Sequence, residues 1–297
     1  MLHLVFNPVA GKGRARRALT QALAFLDGRA VPYMLHSTER PGHATELAAA
    51  TPPGATVVAL GGDGTVHEVA KGLLQRGAPN DPTRGRALAV LPLGSGDDFA
   101  FGLGIARHDL AGALERLVGG ARRRVDVGFV NGEPFINGVG TGFDAEVAAR
   151  VRRSPRFLPG LAGYLYSVVT ALAVLDCPTA EVWVDERRVH VGPALLIGAQ
   201  NGPRAGGSFL FAPEARNDDG QLDVLIARRL SRLGTLRVLP KVMRGSHLTD
   251  PAVALHRGRD VRIAWRSGRP GHADGEALAP ACEYVISVAA GAMPVVG

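Results

Sequence analysis

The chain has 297 residues, a formal net charge of +7 and two cysteines, with 46% hydrophobic and 21% charged residues. That balance excludes a wholly disordered chain, and at about 150 residues per domain it predicts two domains with a sizeable core. Cys177 and Cys282 are too few for a disulfide framework, and MLHLVFNPVAGKG lacks the basic start, apolar run and cleavage site of a secretion signal, so a cytoplasmic setting is expected.

The pI of about 10.1 comes almost wholly from arginine, since only Lys12, Lys71 and Lys241 are lysines. Positive charge favours anionic ligands such as phosphates or anionic membrane surfaces. With 5% aromatic residues and no basic stripe interleaved with them, nucleic acid is not an expected partner. The longest mostly apolar stretch, 160–175, falls short of the roughly 20 residues that a spanning helix needs.

From residue 1 to about 124, apolar strands alternate with amphipathic helices. LHLVF (2–6) is a strand, and Ala15, Ala18, Leu19, Ala22 and Leu26 follow at helical spacing. VPYML (31–35) is a second strand, followed by a short helix with Ala44, Leu47 and Ala48. TVVAL (56–60) precedes a helix whose Val66, Val69, Ala70, Leu73 and Leu74 match i, i+3, i+4, i+7, i+8. ALAVL (87–91) and a helix with Leu110, Ala113, Leu114, Leu117 and Val118 complete the section. The pattern predicts an α/β domain, a doubly wound and mostly parallel sheet, with ligands at the carboxyl ends of the strands.

From about 125 the rhythm turns antiparallel. Strand pairs are expected at 125–140, around an Asn-Gly turn, and at 181–200, with further strands at 222–227, 253–265 and 283–290. Helices are expected at 143–153, 161–175 and 232–244. This half, 125–289, reads as an antiparallel β domain with helical insertions, and 290–297 is a candidate to complete the first half.

Three glycine-rich loops follow strands of the first half. NPVAGKGRA (7–15) offers a helix N-terminus with Lys12, Arg14 and Arg16 beside it, a phosphate cradle or a plain tight turn. GGDGT (61–65) crowds three glycines around Asp63 and Thr65, which suggests close approach of an anion with a cation such as Mg²⁺ neutralising Asp63. PLGSGDDFA (92–100) adds Ser95 and the acidic pair Asp97 and Asp98. In the second half, EARNDDGQLD (214–223) reads as a hairpin turn or as a small cation site. HADGEAL (272–278) reads as a turn, or as the source of a general base. Nucleophile-elbow, C-x-x-C and H-E-x-x-H patterns are absent.

Taken in order, NPVAG (7–11), Thr38 with GHA (42–44), GGDGT (61–65), PLGSGDDFA (92–100), NDDGQLD (217–223) and DGE (274–276) resemble the diacylglycerol kinase catalytic-domain family, which includes sphingosine and ceramide kinases and soluble bacterial lipid kinases. The resemblance runs over residues 2–290. It implies a nucleotide-binding α/β domain (1–124) plus a C-terminal β-sandwich domain (125–289) for the lipid acceptor, with the active site between them. It also implies ATP held by Asn7, Pro8, Val9, Ala10 and Gly11, by Thr38, by Gly61, Gly62, Asp63, Gly64, Thr65, Val66 and His67, and by Ser95. Asp63, Asp98 and Asp126 match the acidic set that organises Mg²⁺, and Glu276 matches the acceptor of the lipid hydroxyl's proton. Asp219, with the carbonyls of Arg216 and Gln221, matches a structural cation site. Asp97 stands where the family usually has Asn.

The expected activity is ATP- and Mg²⁺-dependent transfer of a phosphoryl group to a lipid alcohol. GGDGT alone is shared with NAD kinases, so an NAD kinase-like enzyme is the first alternative and a non-catalytic lipid- or nucleotide-binding regulator the second. The four arginines at 150–156 beside the apolar 157–175 suit either a core helix with a solvated face or a transient contact with an anionic membrane surface. A homo-oligomer stays open.

Overall fold

Strands buried on both faces read as unbroken apolar runs, and two of the runs in the first half, 56–61 and 87–92, are buried at every position. The computed structural model describes residues 1–75, 83–152, 155, 161–207 and 209–297. They form two compact units: Met1–Val127 with Arg216–Gly220 and Ala289–Gly297, and Gly128–Ala215 with Gln221–Val288.

The first unit holds β1 (Leu2–Phe6), α1 (Ala15–Asp27), β2 (Tyr33–Ser37), α2 (His43–Ala50), β3 (Thr56–Gly61), α3 (Asp63–Leu74), β4 (Ala87–Pro92), the short α4 (Asp98–Gly102) and α5 (Leu110–Gly119). The strands lie in the order β4-β3-β1-β2 and all pair in parallel. Right-handed crossovers send the chain one way after β1 and the other way after β2, which puts helices on both faces. Accordingly α1 packs with α5, and α2 with α3. The chain's last residues add a fifth parallel strand outside β4, through Val295 opposite Leu88 and Val296 opposite Ala89.

Arg86, just before β4, is 0% exposed. Its guanidinium donates to the carbonyls of Thr83, Ala48, Ala49 and Leu73 and so closes the C-terminal ends of α2 and α3. Arg86→Met is expected to lower stability by about 3 kcal/mol, because several buried carbonyls lose a charged donor at once. Urea denaturation measures this, and a loss below about 1 kcal/mol would contradict the assigned role.

The second unit is antiparallel. β5 (Arg122–Val130) enters it from the first unit and turns into β6 (Glu133–Phe135) through Asn131 and Gly132, whose φ values of 48° and 86° make a primed turn. β7 (Gly138–Gly142), β8 (Thr179–Val184), β9 (Arg187–Gln200), β10 (Leu222–Arg228), β11 (Val253–Gly258), β12 (Asp260–Ala273) and β13 (Glu276–Val296) follow. Their order is β11-β10-β9-β7-β12-β13, and β8 also pairs with β9 and β12. Val182, Ile197, Ile226, Ile263, Trp265 and Tyr284 belong to its core. The helical insertions are α6 (Phe143–Arg152), α7 (Leu161–Ala173) and α8 (Arg232–Arg244).

Several sequence expectations change: the strand expected at 31–35 lies at Tyr33–Ser37, and those expected to end at 265 and to begin at 283 run to Ala273 and from Glu276. The run 253–265 is not one strand but the end-to-end pair β11 and β12, because Asp185 Oδ1 accepts the N–H groups of Arg259 (2.8 Å) and Asp260 (3.0 Å) and turns the chain there. The 214–223 stretch is not a hairpin: its turn at Gly220 ends the long connection between β9 and β10. No helix among the described residues is long and apolar enough to cross a membrane. Of the 150–175 stretch, 153–154 and 156–160 lie outside the described residues. In α7, Val168, Ala171 and Leu172 pack with Phe143 and Val147, whereas Tyr166 and Val169 are exposed.

Candidate functional site

Parallel strands send the loops after β1, β3 and β4 to one edge, and the strand order reverses between β1 and β3. The loops are tied to one another there. Asn7 donates its N–H to the Leu60 carbonyl (3.1 Å) and its Nδ2 to Thr65 Oγ1 (3.0 Å); Thr38 N–H reaches the Phe6 carbonyl (2.8 Å) and Leu93 N–H the Gly61 carbonyl (2.9 Å). A Cβ on Gly11 would stand 2.7 Å from the Leu93 carbonyl oxygen, and one on Gly62 3.0 Å from Gly94 Cα. The absence of a Cβ at these two glycines lets backbone meet backbone between the loops. Gly64 differs: it is exposed, with no atom within 4 Å of an added Cβ.

The helix ends at this edge are electropositive. Neither the N-cap of α3, Gly62, nor that of α1, Arg14, makes a side-chain cap bond. Their first-turn N–H groups and dipoles favour an anion. Ser95 and Val9 are exposed beside them in sequence, whereas Val66 and His67 are buried on α3. Pro8 and Ala10 are half-buried. The N-terminus of α2 is already filled, because Glu68 accepts from Gly42 N–H (2.9 Å) and Ala44 N–H (3.1 Å).

Three acids crowd the same place. The Asp63 carboxylate accepts the N–H groups of Asp97 (2.8 Å), Asp98 (2.7 Å) and Phe99 (3.4 Å), so it is first the cap of α4. Asp98 is buried at the start of that helix. Asp97 sits at φ 54°, a left-handed conformation that Asn and Asp tolerate better than most residues, which explains why either can stand there. Its Oδ1 accepts Gly94 N–H (2.7 Å), and its Oδ2 lies 3.8 Å from His108 Nδ1. Burial pushes the Asp97 carboxyl above its usual range, against the lowering effect of the Gly94 bond, and the Asp63 charge adds to the rise. Asp97→Asn is therefore expected to raise stability at neutral pH. A carboxyl raised on folding disfavours the folded state while ionised, so the advantage shrinks as pH falls through the raised value. Equal stabilities at pH 7 in denaturant titrations would contradict this.

Asp126 on β5 is 1% exposed and joins segments distant in sequence. Its two oxygens accept Gly220 N–H and Gly291 N–H, each at 2.6 Å, and its own N–H donates to the Asn217 carbonyl (2.7 Å). Of the expected cation site, Arg216 and Asp219 belong to the first unit and Gln221 begins the second; Arg216 Nε donates to Asp218 Oδ1 (3.1 Å). Among the described residues no three His, Cys, Asp or Glu side chains are grouped to hold a metal, so any cation here would rely on backbone carbonyls or water as well.

In the second unit the two acids of DGE divide their roles. Asp274 (φ 50°) and Gly275 (φ 88°) form the two-residue primed turn between β12 and β13. The Asp274 carboxylate accepts the N–H groups of Ile136 (2.8 Å), Asn137 (2.9 Å) and Gly138 (2.9 Å), which makes it a clamp on the chain before β7. Glu276 is exposed, and its carboxylate makes no hydrogen bond or ion pair among the described residues. Nearby, His272 Nε2 lies 3.2 Å from Asp144 Oδ2, both side chains being largely buried. The sequence reading passed over this pair. Its two members are 128 residues apart, and the only local signals were their positions beside DGE and at the start of α6.

Comparison with known proteins covers almost the whole chain. The diacylglycerol kinase catalytic domain model matches residues 1–130, and the YegS C-terminal NAD kinase beta sandwich-like domain model matches 137–297. The diacylglycerol kinase of Bacillus subtilis is 30% identical over 264 residues, 88% of this chain and 84% of that one. That of Staphylococcus aureus strain MRSA252 is 29% identical over 279 residues, 92% and 85% of the two chains. A crystal structure of a diacylglycerol kinase from Bacillus anthracis superposes with a TM-score of 0.72 at 21% identity, over 99% of this chain and 96% of that one. An NAD kinase from Archaeoglobus fulgidus in complex with ATP gives 0.53 at 13%, over 100% and 94%. Likeness at such identities speaks for the fold.

Proposed function

This chain belongs to the diacylglycerol kinase family, and from that premise we propose that it uses ATP to phosphorylate the hydroxyl of a lipid alcohol. Support comes from the relatives' names, from the ATP complex of a fold neighbour, and above all from the edge where three loops leave the N–H end of α3 uncapped at Gly62–Thr65.

Phosphoryl transfer asks for positioning and for stabilisation of charge spread over the phosphate oxygens. We assign the triphosphate to the N–H groups of Gly62, Gly64 and Thr65, with the Ser95 hydroxyl and the loop Asn7–Gly11 beside it. Asn7 holds Thr65 through its side chain and so fixes the loop on which the phosphates would rest. Thr38 is tied to the end of β1 and lines the same edge. Asp63 and Asp98 lie together beside the uncapped end of α3, which suits a magnesium-bound nucleotide; they would hold Mg²⁺ through its waters, with Asp126 as the proposed third acid, and the ion would neutralise phosphate charge. Glu276 is the proposed acceptor of the alcohol's proton, being the member of DGE left uncommitted by structural bonds. Transient contact with a membrane follows from the acceptor's insolubility.

Labelled ATP with Mg²⁺ and a total lipid extract, with NAD as a parallel acceptor, tests the reading. Label in an extractable lipid alcohol is expected. Label in NAD, or in neither, would overturn it.

A further inference from the structure

We propose that the outer face of α8 is a docking surface for an anionic lipid bilayer; the proposal deepens the lipid-acceptor reading and rests on it. Helix α8 turns Thr235, Val238 and Val242 inward, and the two valines pack with Phe209. Its opposite face is also apolar. Leu233, Leu236 and Met243 are 78%, 44% and 45% exposed, Pro240 is exposed between them, and Leu248 beyond the helix end is 37% exposed. At about 100° per residue, Leu233, Leu236, Pro240 and Met243 share an arc of ~80°. Arg232 borders that arc on one side and Arg237 and Arg244 on the other, all exposed. A helix that simply met water would carry polar residues along this line.

Charge decides the occupant. Between Asp223 and Asp250 the chain has six basic residues and no acidic one. Lys241 is held by Asp250 at 3.1 Å, so the positive rim rests on the three arginines. A second copy docking by the same face would bring like-charged rims together. Anionic headgroups meet the arginines while the leucines and Met243 enter the acyl boundary, the arrangement of an interfacial helix. Arg232 Nη2 donates to the Ala173 carbonyl (2.8 Å), which brings the end of α7, where Val174 is 62% exposed, to the Arg232 side of α8.

Sedimentation with vesicles of two parts phosphatidylcholine to one part phosphatidylglycerol tests this with two full-length variants, Leu233→Ser/Leu236→Ser/Met243→Ser and Arg237→Glu/Arg244→Glu. Both are expected to lose at least about tenfold in vesicle partition at low salt. The loss of the charge-reversed variant should shrink as salt rises, and that of the apolar variant should persist. Both should keep parental circular dichroism and phosphorylate a detergent-dispersed lipid alcohol within twofold of the parent. Parental partition in both variants would overturn the proposal, as would a parent that self-associates through this face while vesicle binding is indifferent to the substitutions. Vesicle binding lost in the variants with no lipid phosphorylation by the parent would keep the docking surface and remove the kinase reading. Parental lipid phosphorylation with partition unmoved by the substitutions would do the reverse.

Discussion

Glu276→Gln is expected to lower lipid phosphorylation about 10³-fold, within the 10²–10⁴ range of a positioned general base, while nucleotide affinity stays within twofold. The substitution keeps the side chain's shape and removes only its capacity to accept a proton. The residue is exposed, so the fold has no reason to respond. Its neighbour supplies the contrast. Asp274→Ala strips the acceptor from three backbone N–H groups and is expected to cost about 3 kcal/mol of stability, through the desolvation of donors left unpaired. Turnover kinetics beside equilibrium nucleotide binding separate the two effects. Near-normal turnover by Glu276→Gln would remove the base role, and a drop in nucleotide affinity that accounts for the whole loss would move Glu276 to binding.

Asp63→Ala is expected to combine two losses. Three N–H groups at the start of α4 lose their acceptor, which costs about 2 kcal/mol, and Mg²⁺-dependent ATP affinity falls at least about tenfold. Asp63→Asn separates them. The amide keeps one acceptor oxygen for the helix end but no charge, so much of the stability should return while the Mg²⁺ dependence does not. ATP binding by Asp63→Asn with the parental response to Mg²⁺ would show that the residue acts only as a cap.

The parallel sheet was legible because β1, β3 and β4 are short apolar runs and the helices between the strands carry apolar stripes. The site loops were legible for the same reason, since glycine and acidic residues stand out directly after such runs. Three things were not. Glycine has one signature in sequence and two causes in space, so Gly62, needed against Gly94, could not be told from Gly64, which faces open space. The two acids of DGE differ only through contacts with residues 136–138, far away in the chain. The strand β13 begins with EALAPAC, which has no alternation and includes a proline, so its first turns were unreadable even though Tyr284 and Ile286 further on mark a buried face. The strand ending at 265 was likewise too short by eight residues in its last part, because register shifts between Ala264 and Gly271 break the period of two on which strand reading depends.

A crystal structure with a non-hydrolysable ATP analogue and Mg²⁺ tests the central claim most directly. The triphosphate is expected against the N–H groups of Gly62–Thr65, with Ser95 in hydrogen-bond reach and adjacent density for a cation. An analogue seated elsewhere, with the α3 end left to solvent, would contradict it.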